Sequence, residues 1–270
     1  MSHFSPTLTS PIDSRSRRVS IEPFGVFVLT MRDETRMASI ERQLSRLDIS
    51  FEYIDATVLE RIEHADLPIE REAIQARYGR MLTQGEVSCF LSHRRIWQQV
   101  VEAGKPGVIF EDDALIEEEL CQFLDRLNGV SARFDVVLLG HSKKDHRRKT
   151  LYHFLEPLKR WTPMGPFKLG RGFKTWPSGA VGYVVTPAGA AKLLAATTAI
   201  RCVLDDWPYF ETKGVKVQEV RPLLVWEDFI KLDSSLEGER QTPARRKLFS
   251  IARVIRGCVR QLQSRKDDGS

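Results

Sequence analysis

Apolar residues along this chain follow two rhythms: short unbroken runs, and longer stretches where they recur every three or four positions. These are the periods of buried strands and of helices. Phe24 to Thr30 (FGVFVLT) reads as a first strand, and Asp33 can cap a following helix with Ile40, Leu44 and Leu47 on its inner face. Phe51 to Asp55 forms a short strand. Thr83-Gln84-Gly85-Glu86 has the form of a capping box, so a helix is expected from there to about Ala103, ended by Gly104 and Pro106.

Val108 to Asp113 (VIFEDD) is an apolar strand that ends abruptly in acid. A helix with Leu120, Phe123, Leu124 and Leu127 and a strand from Phe134 to Gly140 follow. Further on come a strand GYVVT, an alanine-rich helix from Pro187 to about Ala196, an aromatic helix after Asp205-Asp206, and a strand from Val215 to Val220. The alternation predicts an α/β fold with a mostly parallel central sheet and helices on both faces. Ligand chemistry then belongs at the C-terminal ends of the strands.

Residues 141–178 break the rhythm, being rich in Lys, Arg, Trp, Pro and Gly. They read as an irregular excursion, either a lid or binding element or a disordered insert. The expected plan is a mobile leader over 1–20, one α/β domain over 21–235, and a basic tail over 236–270.

Hydrophobic content of 42% and charged content of 29% are those of an ordinary soluble protein. No run approaches the roughly 20 apolar residues of a spanning helix, and the Ser, Pro and Arg-rich start lacks the apolar core of a secretory signal. Cys89, Cys121, Cys202 and Cys258 form no CxxC pair, which suggests neither a zinc site nor a disulfide framework and points to the reducing cytoplasm.

The net charge of +5 is a local matter. Residues 244–266 carry eight Lys or Arg and no acid, while residues 1–243 carry 33 basic and 34 acidic groups. A nucleic-acid partner is therefore not expected. On a helix beginning near Ala244, Leu248, Ile251, Ala252, Ile255, Val259 and Leu262 form one stripe beside Arg245, Arg246, Arg253, Arg256 and Arg260. That composition suits an interfacial helix on an anionic membrane surface; docking of the same stripe on the domain itself is the alternative.

Three acidic features are candidates for chemistry. In Glu111-Asp112-Asp113, strand alternation lets Glu111 and Asp113 converge as hard oxygen ligands for Mn²⁺ or Mg²⁺; a solvated turn capping the next helix is the other reading. Glu86, Phe90, His93 and Trp97 share one helical face, setting an acid and a histidine in an apolar stripe. On spacing alone, a cap and an ordinary core histidine explain that pair. Asp205 and Asp206 precede Trp207-Pro208-Tyr209-Phe210, where they serve either as an N-cap pair or as a general base beside sugar-stacking rings.

Together, LTQGEVSCFLSH (Leu82–His93), VIFEDDA (Val108–Ala114), FDVVLLG, SGAVGYVVTPAGAAKLL (Ser178–Leu194) and VLDDW (Val203–Trp207) resemble glycosyltransferase family 25, the lipooligosaccharide galactosyltransferase family that includes collagen galactosyltransferases. The resemblance spans about Phe24 to Trp226 and implies a GT-A type fold. It implies an inverting enzyme that moves a hexose, galactose first, from a UDP-sugar such as UDP-galactose to a saccharide or lipid-linked saccharide acceptor. Glu111, Asp112 and Asp113 would be the metal and donor motif, with Thr30, Arg36 and Asp55 also on the donor. Glu86 and His93 would line the site, and Asp205, or Asp206 after it, would be the base. Trp161, Trp176 and Trp207 are the candidate acceptor and lid residues. The first strand departs from the family's Asn-Leu-x-Arg turn by carrying Thr30 in place of Asn. The resemblance also implies work at the inner face of a bacterial inner membrane. Two other classes fit less: a catalytically inactive sugar-nucleotide-binding protein, and a phosphoacceptor receiver domain, which would be half this length.

Overall fold

The computed structural model describes residues 21–130, 133–174, 177, 179–228 and 251–266. The strands are β1 (Gly25–Thr30), β2 (Glu52–Asp55), β3 (Gly107–Glu111), β4 (Ala114–Ile116), β5 (Val136–Leu138), β6 (Gly140–His141), β7 (Leu158–Met164), β8 (Phe167–Gly172), β9 (Gly182–Val185), β10 (Val217–Arg221) and β11 (Val225–Glu227). The helices are α1 (Glu34–Arg46), α2 (Arg71–Tyr78), α3 (Gln84–Ala103), α4 (Leu120–Asn128), α5 (Lys149–Leu155), α6 (Pro187–Ala196), α7 (Trp207–Thr212) and α8 (Ile251–Lys266).

Eight strands form one sheet in the order β2-β1-β3-β9-β5-β10-β8-β7, and β4-β11-β6 form a small second sheet. The large sheet is mixed, which corrects the expectation of a mostly parallel one. β1 pairs in parallel with β2 and β3, as does β5 with β10, but β9 runs antiparallel between β3 and β5, and β8 antiparallel between β10 and β7. Apolar runs look alike in either direction, so the residues alone could not report the reversal of β9.

Helices cover both faces, as expected. Phe27, Ile109, Tyr183 and Val185 pack with α3, α6 and α7, whereas Val26, Val28, Val108, Phe110 and Val184 pack with α1 and α4. Adjacent residues of one strand thus feed two cores, the period-2 rule at work on a sheet buried on both sides. Phe90, Trp97, Phe110 and Phe123 are fully buried, and each such ring contributes roughly 1.5–3 kcal/mol of burial.

The caps form where the sequence places them. Asp33 accepts the Arg36 amide at the start of α1, and Thr83 and Glu86 close a reciprocal capping box on α3. Gly104 ends α3 in the left-handed region at φ 64°, a conformation glycine adopts without strain.

The stretch 141–178 is mostly regular, not an irregular loop. A short 3-10 turn (His146–Arg148), α5, and the β7–β8 hairpin occupy it, and the hairpin is the last pair of the large sheet. Helix α8 lies against α5 and β7. Gly257 meets Leu155 so closely that a Cβ would come within 2.6 Å of its Cδ2. Gln261 Nε2 donates to the Phe154 carbonyl at 2.8 Å, and Trp161 Nε1 to the Ser264 carbonyl at 3.3 Å. Gly257, Gln261 and Ser264 form the docked face, so Ile255, Val259 and Leu262 point outward. Among the described residues no helix is long and apolar enough to cross a membrane.

Candidate active site

Carrying the alternation of β3 past Phe110 sets Glu111 on the α3 side of the sheet and Asp112 on the α1 side. The contacts follow. Glu111 Oε1 lies 3.8 Å from His93 Nε2, while Asp112 Oδ1 accepts from Arg36 Nη1 on α1 at 3.3 Å. The chain then turns into β4, and Asp113 Oδ2 lies 3.7 Å from the same Arg36 nitrogen.

On the α3 side, His93 is fully buried, with Nδ1 2.9 Å from the Tyr183 hydroxyl, which also accepts Trp97 Nε1–H at 2.9 Å. His93 Nε2 has no hydrogen-bond partner. Burial lowers the imidazole pKa to about 3, so the ring is neutral. One turn earlier on the same face stands Cys89. Its sulfur, a His93 ring nitrogen and a Glu111 carboxylate oxygen all lie within 4.8 Å of one another. Burial, then the charges of Glu111, Asp205, Asp113 and Glu86, push the Cys89 thiol well up.

A second acidic strand end meets the first. β11 runs antiparallel to β4 with Glu227 opposite Ala114, and the Asp228 amide donates to the Asp113 carbonyl at 2.9 Å. Lys143 N–H donates to Glu227 Oε2 at 2.6 Å. Burial and then Glu227 push Asp113 up to about 7, against the pull of Arg36. Burial, then Asp113, Glu227, Asp205 and Asp112, push Glu111 well above the carboxylate range. Asp113 Oδ1 is buried without a partner. Clustered, desolvated carboxylates of one sign repel unless a cation joins them. Carboxylate oxygens such as those of Glu111, Asp113 and Glu227 are the donor type that a hard divalent ion such as Mn²⁺ or Mg²⁺ prefers.

Asp205 comes near this cluster from the loop before α7. Its Oδ2 accepts the Gly179 amide at 2.8 Å, and the Gly179 carbonyl accepts Trp207 Nε1–H at 3.1 Å. Gly179 sits at φ 91°, and a Cβ there would fall 1.8 Å from Ser142 Oγ. Only glycine fits, which fixes this loop beside Asp205.

Asp206 points elsewhere. It is fully buried, bonded to Arg77 and to the Tyr78 hydroxyl, and caps α7 through the Tyr209 amide at 3.1 Å. A carboxylate so enclosed is closed to a substrate hydroxyl, which corrects its candidacy as a base. Glu86 is likewise engaged: both of its oxygens accept from Arg80 at 2.7 Å and one accepts the Thr83 amide at 3.0 Å. The capping reading of Glu86 therefore holds.

Two of the three candidate tryptophans are engaged within the fold. Trp207 is 1% exposed, packed on Tyr183 and Phe210 in the core. Trp161 lies under α8, with Lys168 Nζ 3.8 Å above its ring. Trp176 falls outside the described residues. At the end of β1, Thr30 is buried and its hydroxyl accepts the Arg32 amide at 2.9 Å. Asp55 is exposed at the end of β2 and pairs with Arg32. Just beyond, a cleft of about 340 Å³ opens between the segment after β2 and α3, lined by Thr57, His64, Asp66, Arg94, Arg95 and Gln98 among others.

Sequence reasoning missed Glu227 and Cys89. The signal for Glu227 was present, since Val225-Trp226-Glu227-Asp228 repeats the apolar-run-then-acid pattern of VIFEDD. Cys89 stands four residues before His93, the helical spacing of a ligand pair.

The site thus gathers acids at strand ends on an α/β sheet. The sequence matches the family described as glycosyltransferase family 25 (LPS biosynthesis protein) over residues 24–207, and the chain belongs to that family. It is similar to the "Probable inactive glycosyltransferase 25 family member 3" of Bos taurus, 33% identical over 184 residues, covering 61% of this chain and 29% of that one. It is 28% identical over 220 residues to the "Lipooligosaccharide biosynthesis protein lic2B" of Haemophilus influenzae, covering 76% of this chain and 79% of that one. Similarity to "Procollagen galactosyltransferase 1-A" of Xenopus laevis is 27% over 243 residues, 80% of this chain and 38% of that one. The chain spans about a third of the length of these animal relatives.

Proposed function

We propose that this protein is a metal-dependent, inverting hexosyltransferase of GT-A type that moves galactose from UDP-galactose to a saccharide or lipid-linked saccharide acceptor. The observation that carries the reading is the acidic group of Glu111, Asp113 and Glu227: the Glu227 charge adds to burial in pushing Glu111 and Asp113 up, and Asp113 Oδ1 is buried without a partner. Such a group is stable when ionised only around a cation. A bound Mn²⁺ or Mg²⁺ supplies Lewis-acid stabilisation of the leaving diphosphate.

The protein's own residues do the rest. Arg36 holds Asp112 and, beside it, Asp113 in place. Asp205, fixed by the Gly179 amide, takes the acceptor hydroxyl proton as the oxygen attacks the anomeric carbon from the face opposite the departing diphosphate. Thr30 and Asp55 border the donor, and the cleft lined by Arg94 and Arg95 receives its nucleoside end. Measuring transfer from a panel of UDP-sugars, with Mn²⁺ and with chelator, tests the proposal. Equal transfer in both conditions overturns its metal requirement.

The printed name of the Bos taurus relative supports a second reading, in which this chain binds the sugar nucleotide without turnover. Calorimetric UDP binding with no transfer from any donor would establish it.

The basic tail fits the same work. On α8, Ile255, Val259 and Leu262 are 59%, 47% and 62% exposed. With Arg256 and Arg260 on that helix, the outward stripe suits the headgroup region of an anionic bilayer. We assign it there, where a cytoplasmic enzyme would meet a lipid-linked acceptor.

A further inference from the structure

We propose that Cys89, His93 and Glu111 form a site for a thiophilic divalent ion, Zn²⁺ foremost, distinct in its donors from the all-oxygen group of Asp113 and Glu227. The three donor atoms lie within 4.8 Å of one another. Cys89 and His93 stand at i and i+4 on α3, the spacing that lets two side chains of one helix grip one metal. His93 Nε2 is the second observation: a fully buried ring nitrogen, without a hydrogen-bond partner, facing Glu111.

The surroundings suit a ligand histidine. Trp97 donates to the Tyr183 hydroxyl, and that oxygen has a second lone pair. When His93 Nδ1–H donates to that lone pair, Nε2 is left bare for the metal, and the ring is held as outer-shell partners hold metal-bound histidines. Sulfur selects Zn²⁺ over Mn²⁺ and Mg²⁺, whose preferred ligands are oxygens. A tetrahedral ion at thiolate and imidazole distances of about 2.0–2.3 Å requires the three donors to close in slightly, within reach of rotamer adjustment. Fourth-position water completes the shell. Binding displaces the thiol proton, so Zn²⁺ affinity rises with pH.

Glu111 belongs to both donor groups. Zn²⁺ that draws Glu111 toward His93 removes it from Asp113 and Glu227, so the ion inhibits the Mn²⁺-dependent reaction; this last consequence rests on the proposed function, and the binding itself does not.

The test begins on metal-free full-length protein carrying Cys258→Ser, which removes the exposed thiol. Titration with Cd²⁺ should give one equivalent of thiolate-to-metal charge-transfer absorption, and Zn²⁺ should displace it. Cys89→Ser should abolish the band. Tyr183→Phe should keep the band but weaken Zn²⁺ binding about tenfold in competition with a chromophoric chelator. A band that survives Cys89→Ser, or its absence from folded protein bearing Cys89, overturns the proposal. Zn²⁺ inhibition of transfer, scored for each protein against its own Mn²⁺-activated rate, should weaken in Cys89→Ser. Metal-dependent transfer without a Cd²⁺ band refutes this site alone, and a band without transfer refutes the proposed function alone.

Discussion

The Asp228 amide donates to the carbonyl of Asp113 at 2.9 Å, tying the end of β11 to the acidic turn that follows β3. One consequence is that Glu227, 114 residues along the chain from Asp113, lies near enough for its charge to push the Asp113 carboxyl up. Asp113→Asn should abolish transfer with the fold intact, since the substitution keeps size and removes charge. Glu227→Gln should weaken Mn²⁺ binding by about tenfold or more. Calorimetric Mn²⁺ titration of both variants checks this, and wild-type affinity in Glu227→Gln would remove that residue from the site.

The adjacent acids of the 205–206 pair should separate into two phenotypes. Asp205→Asn should lower kcat by roughly 10²–10⁴ while UDP affinity and thermal midpoint stay near wild type. Asp206→Asn weakens the hold of a fully buried carboxylate on the partly exposed Arg77, a change that costs about 1–3 kcal/mol. It should therefore show as a fall in melting temperature. Kinetics and calorimetry on the two variants give the answer, and a kinetic defect confined to Asp206→Asn would reverse the assignment.

How far the residues foretold this site depends on what kind of information each role needs. The strand ending in Glu111-Asp112-Asp113 and the capped helix carrying His93 are local patterns, and the structure has both within a residue or two. Tertiary pairing is different. Nothing near Asp206 announces Arg77, 129 residues earlier, and nothing near Trp207 says that its indole serves the Gly179 carbonyl instead of a sugar. The 141–178 stretch misled for a third reason. β7 has the burial pattern of an edge strand, buried at its ends and largely exposed between, so its Lys, Arg and Trp read as loop.

Acid sensitivity should trace in part to His153. Its Nε2 accepts the Leu223 amide at 3.0 Å, so the ring must be unprotonated there, and burial followed by Arg221 lowers its pKa to about 4. Between pH 6.5 and 4 the unfolded chain binds this proton and the folded chain does not. Stability is therefore full above pH 6.5 and falls as pH drops toward 4. His153→Gln, whose amide oxygen can accept the same N–H, should flatten that limb. Thermal midpoints of both proteins across pH 4–8 measure it; parallel curves would clear His153 of the effect.

The last prediction concerns α8. The helix presents Gly257, Gln261 and Ser264 to α5 and β7, so the apolar stripe is not consumed by docking. Ile255, Val259 and Leu262 are among the few large apolar side chains left exposed on the described surface. They lie in the 244–266 segment that carries eight basic residues and no acid. Each basic group near an anionic surface adds on the order of 1 kcal/mol, and the buried apolar area adds to that. Replacing Ile255, Val259 and Leu262 together by Ser touches only outward positions, so the docked face and the catalytic domain should keep their stability. Wild-type protein should co-sediment with phosphatidylserine vesicles in low salt, release as salt rises, and ignore purely zwitterionic vesicles. The triple variant should lose most of that binding while its thermal midpoint holds. Equal sedimentation of variant and wild type would mean that charge alone attracts the tail, and the assignment of this stripe to a bilayer would fall.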